Sequence, residues 1–357
     1  MKILFTLDFP PESGGIQRYL HDMVVHTFGC ADKVYAGGAK SSRSDDARSY
    51  PCGVVRVSWR LASINKKILL LPLLLHCIGE VIRHGPRLTV VAGNIYPGLV
   101  AMVLSLFVPL RYELYCYGTE LLPLRKKRSL RRLLWSAALR RAATVYYLTN
   151  ATKTLCELSG RRGPYVQSVP RIILPDAAIP RAIDGKRPLE LLSVGRLVPH
   201  KGHRVLIEAV AALPAVPTWR CTIAGSGPQH RQLSAFIAEH ALDKKITIET
   251  AAPDGRLEEL YRSADILIHP SLSMQTGIEG FGIVLLEAMA YGAAVIASRS
   301  GGIEEVFDNN PEYAVLVPPG DARALREAMT ALLSDHQRRR RMTIAARKFC
   351  GERYAWN

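Results

Sequence analysis

Short apolar segments alternate with helix-length amphipathic segments along most of the chain. Strands are predicted near residues 2–7, 33–37, 54–58, 88–92, 112–117 and 144–148, and in a second series near 188–195, 221–225, 246–250, 265–270, 293–298 and 314–319. Strands that alternate with helices in this way are typical of βα units and parallel sheets. The pattern therefore predicts an α/β protein with two Rossmann-like parallel-sheet domains.

A proline-rich segment, residues 169–188, separates the two series of strands and shows little periodicity, so we interpret it as the linker. We place the boundary near residue 180, which gives domains 1–180 and 181–357. A chain of 357 residues suits two domains better than one core. Residues 320–353 predict two helices, and the sequence then ends at "ERYAWN" without a further amphipathic helix.

The positive charge is concentrated in the first half of the chain. Residues 1–180 contain 25 Lys and Arg against 11 Asp and Glu, a net charge of +14 out of the +16 of the whole chain. A one-sided charge of this kind indicates an anionic partner, either nucleic acid or an anionic membrane surface. Basic residues are not interleaved with aromatic ones as in a nucleic-acid platform, and no nucleic-acid motif is present, so the sequence favours the membrane.

Cysteine usage and apolar run lengths indicate the compartment. The seven cysteines are scattered without a metal-binding or redox spacing, which is typical of reduced thiols in a cytosolic protein. The longest apolar runs, residues 68–78 and 98–110, are shorter than the roughly 20 residues needed to span a bilayer. The N-terminus resembles a strand rather than a signal peptide. We therefore expect a cytoplasmic protein without a transmembrane helix.

The segment "SVGRLVPHKG", residues 193–202, places Gly195 at a strand end, Arg196 next to it and Lys201 at a helix entrance. A guanidinium and an ammonium group at a strand-to-helix turn suit a diphosphate, because the first binds it as a fork and the second as a point charge. A pair of solvated surface cations explains this segment equally well when it is considered alone.

The segment "EGFGIVLLEAMAYG", residues 279–292, is the more specific signal. Gly280 and Gly282 let the backbone approach a ligand closely, and the free amides at the start of the following helix attract phosphate and sugar oxygens. Glu279 and Glu287 can accept hydrogen bonds from ribose or hexose hydroxyls. An exposed helix face is the alternative, but Glu287 lies in an apolar run where an unpaired carboxylate is costly, which favours a functional interpretation.

In the first half, Gly14 and Gly15 precede a predicted helix just after the first strand, where the backbone can approach a phosphate or substrate. A plain turn is an equally good interpretation.

The segment "AGSGP", residues 224–228, lacks the third glycine of a dinucleotide fingerprint, which argues against a dehydrogenase.

Together these segments resemble the family 4 retaining glycosyltransferases of the GT-B fold, a group that includes bacterial enzymes of cell-envelope assembly. The resemblance covers nearly the whole chain and is densest between residues 188 and 307, while residues 8–20 are similar to the opening of the phosphatidylinositol mannoside mannosyltransferases. It implies an N-terminal acceptor-binding domain and a C-terminal donor-binding domain that face a central cleft. It also implies a retaining, metal-independent transfer of a hexose or N-acetylhexosamine from UDP or GDP in polysaccharide or lipopolysaccharide synthesis.

The resemblance also implies roles for the matching residues. Arg196 and Lys201 would neutralise the donor diphosphate, and Glu279 would face the donor sugar; these three form the expected catalytic set. Glu287 would hold the ribose. The expected donor-binding residues are Gly14, Gly15, Gly195, Gly280, Phe281, Gly282, Ile283 and Glu287.

One segment departs from the family pattern. Many relatives carry a His before a Gly after the fifth strand, where this chain has "YCYGTEL", with Tyr117, Gly118 and Glu120 expected on the acceptor or sugar side. A tyrosine can donate a hydrogen bond to a sugar hydroxyl but does not titrate near neutral pH. The leaving phosphate can accept the acceptor's proton in the retaining reaction that this family is thought to use, so transfer does not require that His.

No cofactor or metal ion is expected beyond the nucleotide sugar, because the sequence has no compact Asp-x-Asp pair in a plausible site, and the adjacent Asp45 and Asp46 fall in a loop rich in Ser and Arg. The segment 124–143 is predicted as a basic amphipathic helix that binds the anionic inner face of the cell membrane. Its apolar stripe would consist of Leu130, Leu133, Leu134, Trp135 and Leu139. A helix that packs on the sheet with a solvated basic face is the alternative.

Two rival functions remain open at this point. A nucleotide-sugar epimerase on the same two-domain plan would bind the donor but need no acceptor. A non-catalytic protein that binds nucleotide sugars, or a membrane scaffold, is the second rival, and Tyr117 in place of the family His keeps it open.

Overall fold

The computed structural model describes residues 1–10, 14–37, 50–57, 66–126, 128–175, 187–214, 218–250 and 254–356. The chain divides into two compact units, Met1–Pro170 and Arg171–Asn357, which we call unit 1 and unit 2. The boundary predicted near residue 180 and the adjacent Asp45 and Asp46 lie outside the described residues.

Unit 1 is built on a sheet of seven described strands, all paired in parallel. The strands are β1 (Lys2–Thr6), β2 (Lys33–Gly37), β3 (Gly53–Val57), β4 (Thr89–Ala92), β5 (Arg111–Cys116), β6 (Thr144–Tyr147) and β7 (Tyr165–Gln167). The helices are α1 (Gly15–Thr27), α2 (Leu70–His84), α3 (Ile95–Leu104), α4 (Leu130–Arg141) and α5 (Asn150–Glu157).

The strand order of unit 1 is β3-β2-β1-β4-β5-β6-β7. The chain winds outward in one direction from β1 and in the other direction from β4, so the switch point of the sheet lies between these two strands. In open α/β sheets, ligands bind beyond the carboxyl ends of the strands at such a point. Residues that follow β1, β4 and β5 are therefore in the position where a binding site is expected.

Unit 2 repeats this arrangement with a sheet of six described parallel strands in the order β10-β9-β8-β11-β12-β13. The strands are β8 (Leu189–Val194), β9 (Trp219–Ala224), β10 (Ile246–Glu249), β11 (Ile266–His269), β12 (Ala294–Ser298) and β13 (Val315–Val317). The helices are α6 (His203–Ala211), α7 (His230–Glu239), α8 (Asp254–Ser263), α9 (Ile283–Ala290), α10 (Ile303–Val306), α11 (Ala322–Ser334) and α12 (His336–Tyr354).

The central strands of unit 2 are apolar on both faces, because helices cover both faces of a parallel sheet. Ile266, Leu267 and Ile268 are successive residues of β11, and all three are fully buried. Such runs do not alternate between apolar and polar residues, but their length and their β-branched residues identify them as strands. The two predicted parallel α/β domains are confirmed, as are the two helices predicted in the C-terminal segment.

Strand β7 is the described strand that the sequence pattern missed. It has three residues, of which Val166 and Gln167 are exposed, and it lies at the edge of the sheet. A short edge strand buries too little apolar surface to produce a readable pattern.

The helix predicted over residues 124–143 begins later than expected. A 3₁₀ helix spans Thr119–Arg125, and α4 starts after Ser129, whose side chain accepts a hydrogen bond from the backbone N–H of Arg132. This N-cap fixes the start of α4. The predicted apolar stripe is divided, because Trp135 and Leu139 are buried in unit 1 while Leu130, Leu133 and Leu134 are exposed. Two of the five residues of the predicted stripe therefore pack inside unit 1, and three are exposed.

Candidate active site

Lys201 lies at the carboxyl edge of the unit 2 sheet, in a turn that joins β8 to α6. A 3₁₀ helix, Pro199–Lys201, follows the strand, and Gly202 adopts a left-handed conformation with φ of 70° before α6 begins. A Cβ at Gly202 would lie 1.9 Å from the carbonyl oxygen of Pro270, which follows β11. Glycine at this position therefore lets the two turns touch and brings Lys201 to the end of β11.

Glu279 is the acidic partner of Lys201, and its carboxylate is almost completely buried. Oε2 lies 2.5 Å from the Lys201 Nζ atom, 2.9 Å from the His269 Nε2 atom and 3.2 Å from the Ser271 hydroxyl oxygen. The three groups converge on the same oxygen. Among the described residues no hydrogen bond is made by Oε1, which leaves this second oxygen available to a ligand hydroxyl.

The carboxylate of Glu279 is ionised despite its burial. Burial alone would raise its pKa, but the positive charge of Lys201 and the hydrogen bond from His269 outweigh this effect and hold the pKa well below its ordinary value. Burial also lowers the pKa of His269. His269 is therefore a neutral imidazole near pH 7, and with the proton on Nε2 it donates to the carboxylate.

The loop that carries Glu279 leads directly into helix α9. Gly282 is the N-cap of α9, with φ of 83°, and no side chain caps the helix. Uncapped amides at a helix start are donors for an anionic or hydroxylated ligand. The backbone of Glu279 is fixed by the turn after β12, because the Glu279 carbonyl oxygen accepts a hydrogen bond of 3.0 Å from the Gly302 N–H.

Glu287 lies inside α9 and is buried. Its Oε2 atom accepts a 2.5 Å hydrogen bond from the hydroxyl group of Tyr261, which is also buried at the end of α8. The ring of Tyr261 is stacked on that of Tyr291. This contact explains how an acidic side chain is accommodated in the apolar run that the sequence showed, since a hydrogen bond offsets part of the cost of burying a carboxylate.

Arg196 differs from Lys201 in its surroundings. It follows Gly195 at the end of β8, its side chain is exposed, and it makes no ion pair or hydrogen bond through its guanidinium with the described residues. Lys201, by contrast, packs over Gly195 and is mostly buried. The structure thus provides one fixed cation and one exposed cation at the same strand end.

Unit 1 contains the other predicted residues. Gly14 is the N-cap of α1 and Gly15 is its first residue, and no side chain caps this helix. Tyr117 and Gly118 follow β5, and the Glu120 Oε1 atom accepts a 2.6 Å hydrogen bond from the Tyr117 backbone N–H. The rings of Tyr19, in α1, and Tyr117 are in edge contact at 5.8 Å.

The predicted residues thus form two groups, each within its own unit. In unit 2 the structure brings together Lys201 and Glu279 in direct contact, next to the start of α9. The remaining predicted members of this group are Gly195, Arg196, Gly280, Phe281, Gly282, Ile283 and Glu287. In unit 1 it brings Tyr117, Gly118 and Glu120 to the end of β5 and places Gly14 and Gly15 at the start of α1.

Sequence reasoning missed His269, Ser271 and Tyr261, which contact the two glutamates directly. The signal for the first two was present, since the segment "HPS", residues 269–271, comes immediately after an apolar strand. A polar residue at the carboxyl end of a central parallel strand is in the position where ligands bind. No comparable signal marks Tyr261, whose contact depends on how α8 packs.

Residues 180–349 match the family model described as Glycosyl transferases group 1. The matched segment lies within the second unit. Two curated relatives are a mannosyltransferase of Mycolicibacterium smegmatis and a protein of Escherichia coli. The first, "GDP-mannose-dependent alpha-(1-6)-phosphatidylinositol monomannoside mannosyltransferase", is 32% identical over 48% of this chain and 45% of its own length. The second, "Putative colanic acid biosynthesis glycosyltransferase WcaL", is 34% identical over 40% and 36%. The match therefore covers less than half of each relative.

The fold is shared with solved structures. HepE of Anabaena in complex with UDP and glucose superposes with a TM-score of 0.79 over 99% of this chain and 96% of that chain, at 20% sequence identity. This likeness agrees with the predicted GT-B fold of two parallel-sheet domains.

Proposed function

We propose that this chain is a retaining glycosyltransferase that moves a hexose or N-acetylhexosamine from a UDP or GDP sugar to a membrane-associated glycolipid or polysaccharide acceptor. The observation that carries the proposal is the buried contact between Lys201 and Glu279 beside the uncapped start of α9. A cation, a carboxylate and the amides of an uncapped helix start at one strand edge match the diphosphate and the hydroxyl groups of a nucleotide sugar. The domain match and the curated relatives support the same class of reaction.

The chemistry required of such a site is stabilisation of charge. When the anomeric bond breaks, the sugar becomes positively charged and the diphosphate gains negative charge. Lys201, Arg196 and the amides of α9 would stabilise the diphosphate, and preorganised charges of this kind usually dominate catalysis. In this proposal no metal ion is needed, and the leaving phosphate accepts the acceptor's proton.

The two carboxylate oxygens of Glu279 would then have different functions. Oε2 is occupied by Lys201, His269 and Ser271, which fix the orientation of the carboxylate. Oε1 would accept a hydrogen bond from a hydroxyl group of the donor sugar. A bound diphosphate would compete with Oε2 for the ammonium group of Lys201, so donor binding and the ion pair are coupled.

A thermal-shift screen of the full chain with UDP-, GDP- and ADP-sugars tests the donor. We expect one nucleotide class to raise the melting temperature by several degrees, because a ligand that binds the folded state stabilises it. Incubation with acceptors then distinguishes the activities. A transferase releases free nucleoside diphosphate and forms a glycoside, whereas an epimerase yields an altered nucleotide sugar, and a binding protein yields neither. No shift with any of the three classes would contradict the proposal.

The membrane part of the proposal is supported by an exposed apolar surface on unit 1. Helix α2 packs against α3, and α3 against α4. The exposed apolar side chains of this layer, which we call the apolar surface, are Leu71, Leu75, Ile82, Val103, Leu106, Phe107, Leu130, Leu133 and Leu134. Phe107 is 80% exposed and Leu130 is 72% exposed. Exposed Arg131, Arg140 and Arg141 lie on the same helix as three of the leucines, a combination typical of proteins that bind anionic lipid surfaces.

No helix in the described ranges has the length and hydropathy to cross a bilayer.

We expect the chain to sediment with vesicles that contain about 30% anionic lipid at low salt and to be released as the salt concentration rises. The double variant L130D/L133D should reduce binding at least tenfold, because it places charge in the apolar contact. Ile344, which is 61% exposed on unit 2, provides the matched control I344D. If L130D/L133D and I344D sedimented with the vesicles to the same extent, α4 would have no role in membrane binding.

A further inference from the structure

A cavity of about 550 Å³ lies at the amino edge of the unit 1 sheet. It is lined by Ser105, Val108, Pro109, Leu110, Arg111 and Arg141. Arg111 is the first residue of β5, and Cys116 is the last. Because a strand rises about 3.3 Å per residue, these two residues are about 16 Å apart. The cavity is therefore at the opposite end of β5 from Tyr117 and Gly118, and it is separate from the candidate site residues of unit 1.

Three packed elements form the walls of this cavity. Ser105 is the C-cap of α3, Arg141 is the last residue of α4, and residues 108–110 lead from α3 into β5. Helix α3 packs against both α4 and β5. The shape of the cavity is thus set by the helix layer and the sheet together.

The guanidinium group of Arg141 is fixed along one edge. Its Nε atom donates a 3.1 Å hydrogen bond to the Ser105 hydroxyl oxygen, and its Nη2 atom donates a 2.9 Å bond to the Ser105 carbonyl oxygen. The Ser105 hydroxyl in turn donates to the Met102 carbonyl oxygen at 2.6 Å. Among the described residues Nη1 makes no hydrogen bond. Arg141 therefore presents N–H donors in an orientation that costs little further ordering on binding.

Arg111 contributes a second guanidinium group to the same cavity. It is exposed, and within the described ranges it makes no hydrogen bond or ion pair. Arg141 has no carboxylate partner there either, and Glu113, the acidic residue of β5, forms no ion pair with any described residue. Like charges that line one cavity repel each other. An anion that contacted both guanidinium groups would remove this cost, so the cavity favours an anionic ligand.

The other side of the cavity is apolar and continues into the apolar surface of unit 1. Val108, Pro109 and Leu110 line the wall, and the neighbouring Leu106 and Phe107 are 58% and 80% exposed. A free phosphate ion gains nothing from apolar side chains. A lipid brings acyl chains together with its phosphate, and exposed Leu and Phe side chains beside basic ones are typical of protein surfaces that enter the lipid interface. The combination favours a lipid headgroup as the occupant.

The presence of two guanidinium groups favours one kind of headgroup. A phosphate monoester carries about −1.5 to −2 charges at pH 7 and three acceptor oxygens. A phosphate diester carries a single charge and has two free oxygens. Because each arginine can bind a phosphate through two parallel N–H donors, the monoester provides the better match to two of them.

We propose that this cavity binds the terminal phosphate of a membrane lipid, with Arg111 and Arg141 as the groups that contact the phosphate and with Leu106 and Phe107 inserted beside it. The inference rests on the membrane part of the proposed function and deepens it. A basic surface attracts any anionic lipid, whereas a cavity with two placed guanidinium groups selects among headgroups of the same total charge.

The test compares two kinds of vesicle that differ in headgroup but not in surface charge. Phosphatidylcholine vesicles contain either phosphatidate or phosphatidylserine, in amounts adjusted to give the same zeta potential. We expect the full chain to bind the phosphatidate vesicles at least about fivefold more tightly at about 0.15 M salt. R111Q and R141Q should each reduce this ratio to less than about twofold, because each removes one of the two forks.

R140Q is the matched control, since Arg140 precedes Arg141 on α4, is exposed and does not line the cavity. It removes the same charge, so it should weaken binding to both kinds of vesicle equally and leave the ratio as in the wild type. R111Q removes a side chain that makes no hydrogen bond or ion pair in the described parts of the chain, so a lost preference in this variant does not reflect lost structure. Thermal unfolding of R141Q checks that the loss of the Ser105 contacts leaves the chain folded.

The outcomes separate this inference from the proposed function. Equal binding of the two kinds of vesicle by the wild type, or a preference retained in both R111Q and R141Q, would overturn the cavity assignment and leave general membrane binding intact. Binding to neither kind would contradict the membrane part of the proposed function as well. Calorimetry with glycerol 3-phosphate tests a soluble ligand. If this compound binds in solution as tightly as phosphatidate in vesicles, the cavity is a site for a soluble phosphate and the lipid assignment is wrong.

Discussion

K201A is expected to reduce glycosyl transfer by about 10³-fold while the chain remains folded. The ammonium group is mostly buried and fixed at the edge of the unit 2 sheet, where its charge is poorly screened by water. Removal of one preorganised group that stabilises developing charge typically costs a factor of 10² to 10³ in turnover. Initial rates with saturating donor, measured as release of nucleoside diphosphate, would give the effect.

A second consequence of K201A must be separated from the first. Lys201 also holds the carboxylate of Glu279, and loss of one partner of a buried pair is destabilising by about 3–5 kcal/mol when the other charge stays ionised. The double variant K201A/E279Q removes the stranded charge. If the double variant recovers the stability that K201A loses and still transfers more slowly than E279Q alone, the cation acts in the reaction as well as in the ion pair.

Lys244 provides the control for a general change of charge, since it is exposed and lies outside the candidate site. K244A should retain the activity of the wild type. Transfer by K201A within threefold of the wild type would show that Lys201 has no role in charge stabilisation, and the proposed mechanism would have to rely on Arg196 and the α9 amides alone.

Most of the fold was accessible from the sequence because strands of parallel sheets produce local signals. An apolar run such as residues 265–270 can be recognised as a strand without knowing which strands lie beside it. The six strands of each predicted series are present in the structure. The start of α4 was not predicted correctly, because the basic segment before Ser129 has helical propensity but the N-cap at Ser129 sets the boundary. Capping is a one-residue effect that a periodicity window averages away.

The candidate site could be predicted only where its members are close in sequence. Glu279 and the glycines of the following turn form a single motif, which the sequence displays directly. The contact of Lys201 with Glu279 joins residues 78 positions apart and depends on the packing of Gly202 against Pro270. In the cavity of unit 1, Ser105 and Arg141 are 36 positions apart and meet only because α3 packs against α4. Sequence spacing carries no information about such pairs until the packing of the elements is known.

The free energy of unfolding is expected to fall by about 3 kcal/mol between pH 7 and pH 4 because of His203 alone. This residue begins α6, next to the turn that carries Lys201, and is 1% exposed. Burial lowers its pKa from 6.5 to about 4, and the positive charge of Lys201 acts in the same direction. A shift of one pKa unit corresponds to about 1.4 kcal/mol, which gives the expected size of the effect.

The direction of the effect follows from proton binding in the two states. Between pH 6.5 and about 4 the unfolded chain holds a proton on this imidazole and the folded chain does not, so acid favours the unfolded state. The stabilising contribution is therefore present above pH 6.5 and is lost as the pH falls toward 4.

Urea unfolding of the full chain at pH 7 and pH 4 measures this contribution. H203N should lose about 3 kcal/mol less than the wild type over this range, whereas H240N, at an exposed position, should behave as the wild type does. Equal pH dependence in all three proteins would show that the folded and unfolded chains bind this proton equally, which would contradict the expected effect of burial.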